Sequence, residues 1–122
     1  MDITEKTAIP DADGVRALSR RLSGYLVRTP VLRCAALEDD LPPGTEVHGK
    51  LEFLQRTGTF KARGALSAVL GLSTEQRSAG VTAVSAGNHA IAVAYAATVV
   101  GITAKVVMIR AANPARVRLC RS

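Results

Sequence analysis

Aromatic residues are almost missing: the chain of 122 residues has no tryptophan, two phenylalanines and two tyrosines. With so few ring faces there is little on which single-stranded nucleic acid could stack. Cysteine is equally sparse, at Cys34 and Cys120, which form neither a disulfide framework nor a zinc-type pair. No metal is therefore expected, and a reducing cytoplasm is the default compartment. No apolar run is both long and unbroken. Residues 90–108 are interrupted by Tyr95, Thr98, Gly101, Thr103 and Lys105, a pattern for a buried helix followed by a buried strand and not for a membrane span. Residues 1–6 carry acids and lack an apolar core, which argues against a signal peptide. Neither the G-x-G-x-x-G dinucleotide fingerprint nor the phosphate loop G-x-x-x-x-G-K-[ST] occurs.

Acidic side chains are missing from one region. Eleven basic and ten acidic residues precede position 105, whereas Lys105, Arg110, Arg116, Arg118 and Arg121 follow with no acid among them. The formal net charge of +6 is thus terminal and not general, and it is weak support for a nucleic-acid partner. What is present is apolar: 48% of residues are hydrophobic, which excludes intrinsic disorder and suits one modest domain.

Asp11 or Asp13 can cap a helix reaching Leu22, because Val15, Leu18 and Leu22 recur at helical spacing and Gly24 follows. Thr29-Pro30 forces an extended step before a short strand at Val31-Leu32. Residues 38–44 make an exposed acidic and proline-rich turn, and residues 47–54 alternate as a strand. A helix is expected from Phe60, and Ser73 or Thr74 caps a further short turn. Residues 81–84 read as a strand, 85–88 as a polar elbow, 89–100 as an apolar helix and 105–109 as a buried strand. A final helix opens with Pro114 at its first position and would be about two turns long. The alternation gives an α/β class: three layers, a parallel sheet flanked by helices. Residues 1–46 are an N-terminal helix and arm, and residues 47–122 a βαβαβα portion.

Two loops stand at expected helix starts. Residues 57–61 place Lys61 in a first helical turn, at the positive end of the helix dipole, an uncommon place for a lysine. Residues 85–89 offer backbone N–H groups, a hydroxyl, an amide and an imidazole at another helix start, a natural seat for a carboxylate or phosphate. Singly, each has a plain reading: a solvated surface lysine, a helix-capping Asn88, a structural His89.

Together they are specific. The run Lys50-Leu51-Glu52-Phe53-Leu54-Gln55-Arg56-Thr57-Gly58-Thr59-Phe60-Lys61-Ala62-Arg63-Gly64-Ala65, followed by Ser85-Ala86-Gly87-Asn88-His89-Ala90, closely resembles the pyridoxal-phosphate enzymes of the tryptophan-synthase-β fold type, fold type II. Within them it is most similar to the threonine/serine dehydratase and serine racemase family. The resemblance implies that Lys61 forms the Schiff base with pyridoxal 5'-phosphate and that Phe60 packs against the cofactor ring. It implies that Asn88 bonds the pyridine 3-hydroxyl, and that Ser85, Gly87, Asn88 and His89 hold the substrate carboxylate. The implied reaction is an α,β-elimination of threonine or serine to a 2-oxo acid and ammonia, with Lys61 taking the Cα proton. A small amino-acid substrate and a homodimer of the whole enzyme are likewise implied.

The chain also departs from the family pattern. Ala86 stands where racemases have a second serine able to act on the opposite face, which disfavours racemization. Ile91-Ala92, Phe53 and Arg110 replace commoner residues. The glycine-rich phosphate cradle and the partner of the pyridine nitrogen find no match, so the expectation is the N-terminal portion of a longer enzyme, weakly active or inactive alone. The alternatives are a related enzyme on another amino acid, of racemase or hydroxyaspartate dehydratase type, and a non-catalytic fragment binding a partner through its basic end.

Overall fold

The computed structural model describes residues 11–121. The leader reading of residues 1–6 lies outside them. Helix α1 (Ala12–Leu22) starts at Asp11, whose carboxylate accepts from the Gly14 amide at 2.7 Å, and carries Arg20 and Arg21 in its last turn, where the helix dipole favours cations. Strand β1 (Val31–Arg33) and strand β2 (His48–Lys50) form an antiparallel pair with Val31 opposite Lys50. Helix α2 (Lys61–Leu70) follows. Helix α3 (Thr74–Ala79) is opened by a reciprocal capping box between Ser73 and Gln76. Strand β3 (Val81–Val84), helix α4 (Asn88–Val100) and strand β4 (Ala104–Val107) make a parallel crossover unit, and helix α5 (Pro114–Leu119) is capped by Asn113. No helix among the described residues is long and apolar enough to cross a membrane.

The α/β class is the one expected. The strand expected over residues 47–54 is shorter: only His48–Lys50 pairs, and Glu52–Leu54 and Arg56–Gly58 coil into 3-10 turns. The amides of Leu54 and Gln55 bond back to the carbonyls of Leu51 and Glu52, so the segment satisfies its backbone locally and not in a ladder. This strand therefore joins β1, not the parallel pair β3–β4. The last strand also ends earlier than residue 109, at Val107.

The core lies where α2 crosses α4 above the inner face of β3 and β4. Leu66, Ala62, Ala90, Ala92 and Ala96 are fully buried there, with Val69, Val93 and Ala83 almost so. Alanine at so many contact positions lets the two helix backbones come close. It also places the start of α2 beside the start of α4. On the opposite sheet face Thr82, Val84, Lys105 and Val107 are exposed.

The turn from α3 into β3 depends on Gly80. Its φ is +78°, and an added Cβ would lie 2.7 Å from the Thr103 carbonyl oxygen, inside hard contact. Gly101 has a similar φ of +77° but open space around it. Gly80→Ala is therefore expected to cost about 2–3 kcal/mol and Gly101→Ala about 1 kcal/mol. Urea unfolding midpoints of the two variants check the difference, and equal losses would show that the contact with Thr103 relaxes freely.

Candidate active site

Three short segments converge on the first turn of α2. Glu52, in the turn after β2, accepts from Arg63 through both of its oxygens, Nε to Oε2 at 2.8 Å and Nη2 to Oε1 at 2.7 Å. The buried Thr29 adds its hydroxyl to Glu52 Oε1 at 2.5 Å, and Lys50 Nζ donates to the Thr29 carbonyl at 2.7 Å. Gln55, also buried, accepts from the Val27 and Arg56 amides and donates to the Val27 carbonyl. The segment before β1, the turns after β2 and the start of α2 are thereby tied together. The paired Arg63 guanidinium holds the Glu52 carboxyl down at about 2, against burial that pushes it up, with Thr29 lowering it further.

The chain between Gln55 and Lys61 turns on two successive left-handed residues, Thr57 at φ +68° and Gly58 at φ +69°. Thr57 is the single non-glycine of this kind among the described residues, and its buried hydroxyl has no hydrogen-bond partner. Lys61 is then delivered as the first residue of α2, its amide donating to Thr59 Oγ1 at 3.3 Å. Its Nζ lies 4.8 Å from the centroid of the exposed Phe60 ring.

Phe60, Lys61 and His89 line one open cavity of about 490 Å³, with Gly64, Val81 and Thr82 also on its wall. Ser85, Gly87 and Asn88 form the neighbouring elbow between β3 and α4 but do not line that cavity. In the elbow the Gly87 amide donates to Ser85 Oγ at 3.2 Å. Asn88 is not the cap its sequence position suggested: Gly87 occupies the N-cap and Asn88 is the first helical residue, exposed. An added Cβ at Gly87 would lie 3.1 Å from Arg116 Nη1, the movable end of an exposed side chain.

The local sequence assigns Glu52, Arg63 and Thr29 no individual role. A hint was available, since Glu52 and Arg63 are opposite charges flanking the Lys61 loop. The bond from Thr29 to Glu52 spans 23 positions and does not follow from spacing. Arg116, in the basic end, reaches back over 30 positions to the Ala86 carbonyl at 3.5 Å.

Fold and site together define a chain that presents a lysine amine beside an aromatic face at the head of α2, which packs on the α/β crossover unit. Residues 22–122 match the family described as "Pyridoxal-phosphate dependent enzyme", and the chain belongs to that family. It is 55% identical over 117 residues to the phenylserine dehydratase of Ralstonia pickettii, covering 96% of this chain and 35% of that protein. It is 44% identical over 100 residues to the L-threo-3-hydroxyaspartate ammonia-lyase of Saccharomyces cerevisiae, covering 82% of this chain and 30% of that one. Among solved structures, maize serine racemase superimposes with a TM-score of 0.80 at 38% identity, over 91% of this chain and 33% of that one. The processed form of threonine deaminase isoform 2 from Solanum lycopersicum gives 0.73 at 30% identity, over 92% and 32%. The chain spans about a third of the length of these relatives.

The Glu52–Arg63 pair makes a pH prediction. Because the carboxyl is lowered in the folded chain relative to the unfolded one, its contribution is fully present above the unfolded value of about 4.3 and is lost as pH falls through about 2. With the Arg63 side chain 39% exposed, this amounts to about 2 kcal/mol after solvent screening. Urea midpoints measured from pH 7 to pH 2 should fall more steeply for the native protein than for Glu52→Gln. Parallel curves would remove the pair from the stability of the fold.

Proposed function

We propose that this chain is the lysine-bearing part of a pyridoxal-phosphate dependent ammonia-lyase that eliminates the β-hydroxyl and amine from a β-hydroxy amino acid of the phenylserine, threonine or serine type. The observation that carries the reading is the placement of Lys61 and Phe60 on one cavity wall, next to the 85–89 elbow. The residues suit the cofactor: a cavity of about 490 Å³ is within the size range of small-molecule sites, and it offers one primary amine and one exposed aromatic face. Open space around Gly64 adds room on the same wall.

When bound, pyridoxal phosphate supplies an aldehyde that joins to a lysine amine and a ring that withdraws electrons from the substrate Cα. Lys61 Nζ would be its attachment point and, once released, the base that takes the Cα proton. Phe60 would lie against the ring, and the Asn88 amide would bond the ring hydroxyl. The elbow would hold the substrate carboxylate through its backbone N–H groups and Ser85, at the positive end of α4. A carboxylate held at the elbow would orient the substrate so that Lys61 could take its Cα proton. Ala86 contributes only a methyl group. It offers no hydroxyl to reprotonate the opposite face, which favours elimination over racemization.

The test is chemical. Incubation with pyridoxal phosphate, borohydride reduction and peptide mapping should place one adduct on Lys61 and none at that position in Lys61→Ala. Labels spread over Lys6, Lys50 and Lys105 instead would overturn the cofactor role of Lys61. In the whole enzyme, release of 2-oxo acid from phenylserine, threonine and serine should drop by about a thousandfold or more in Lys61→Ala.

A further inference from the structure

A second cavity, of about 380 Å³, is walled by α1, the segment before β1, the end of β2 and the head of α2. Three cations line it, Arg28, Lys50 and Arg63, together with the hydroxyl residues Ser19 and Ser23. No aspartate or glutamate is on its wall, and the remaining side chains there are aliphatic. Arg63 gives Nε and Nη2 to Glu52 and keeps Nη1, while Lys50 Nζ gives one N–H to the Thr29 carbonyl and keeps two. Arg28 makes no hydrogen bond or ion pair among the described residues. The Glu52 carboxylate thus answers Arg63, and neither Arg28 nor Lys50 has an acid of its own among those residues. Like charges gathered around one small volume repel unless an anion joins them.

We propose that this cavity is an anion site for a dianionic phosphate group, free or carried on a small organic body. A phosphate spreads its charge over oxygens that point in several directions, and so can meet donors from four chain segments at once, as a flat carboxylate cannot. The two guanidinium groups offer directed pairs of N–H donors, Lys50 a compact charge, and the serines hydroxyl donors. The aliphatic side of the wall suits an organic body attached to the phosphate. The site stands apart from the cofactor reading, since neither Lys61 nor any residue of the 85–89 elbow lines it. Arg63, however, lines both this cavity and the one that holds Lys61. A phosphate bonded to Arg63 Nη1 would therefore brace the first turn of α2 together with Glu52, and would tie that turn to α1.

A ligand that binds only the folded chain raises its melting temperature, which makes the site measurable without any activity. Thermal unfolding is followed in inorganic phosphate, in phenyl phosphate and in chloride, at one pH and one ionic strength. Both phosphates should raise the midpoint above that in chloride. Arg28→Glu should weaken the apparent affinity for phosphate by about tenfold or more. Arg118→Glu, the same change of net charge placed on α5, should bind like the native protein. Because Arg28 holds no partner, its variants should still fold, and the neutral Arg28→Gln should show a smaller loss in the same direction, as should Lys50→Gln. Tighter binding of phenyl phosphate assigns the site to an organic phosphate, and equal binding assigns it to the free ion. Equal midpoints in phosphate and chloride would overturn the inference. So would equal losses from Arg28→Glu and Arg118→Glu, which would mark a general effect of net charge.

Discussion

The two parallel hydrogen bonds between Glu52 and Arg63 hold the start of α2 against the turn that ends β2, and the position of Lys61 follows from them. Lys61 is two residues before Arg63 on the same helix, so any swing of that helix turn would carry its amine with it. The pair is itself clamped from the far side by Thr29, which is fixed by Lys50 through its carbonyl. Four side chains from three segments thus define one helix terminus. A bidentate guanidinium–carboxylate contact suits this task because it fixes orientation as well as distance. A lysine in the position of Arg63 would keep the charge and lose the geometry.

The helices were readable because their signals are local. Val15, Leu18 and Leu22 mark α1, Pro114 marks the first turn of α5, and Ser73, one of two candidate caps, opens α3. The end of β2 was not readable, because Glu52 leaves the strand for partners 11 and 23 positions away. Alternation alone gives no warning of such a capture. Asn88 shows the same limit at the site: it is a good capping residue by type, yet the cap goes to Gly87. Lys61 and the elbow were legible as a motif, while the groups that tie down the start of α2 come from distant parts of the chain.

The charge distribution also gains a structural sense. A net charge of +6 spread over a surface says little about a site. One guanidinium of the basic end has a defined contact: Arg116 lies 3.5 Å from the Ala86 carbonyl oxygen, so part of the terminal charge packs on the elbow before α4. The apolar packing of α2 on α4 sets that elbow beside Lys61, since alanine-sized contacts bring the two helix starts together. Chemistry and packing are linked here through side-chain size.

Thr57 shows what such placement costs. A β-carbon-bearing residue in the left-handed region, with a buried hydroxyl left unpaired, is conformationally expensive by roughly 1–3 kcal/mol. Glycine in its place would relieve the backbone and at the same time free the loop that leads to Lys61. Selection for thermostability and selection for a fixed lysine therefore pull this one position in opposite directions, so the loop is a place where a more stable variant can be a less ordered catalyst.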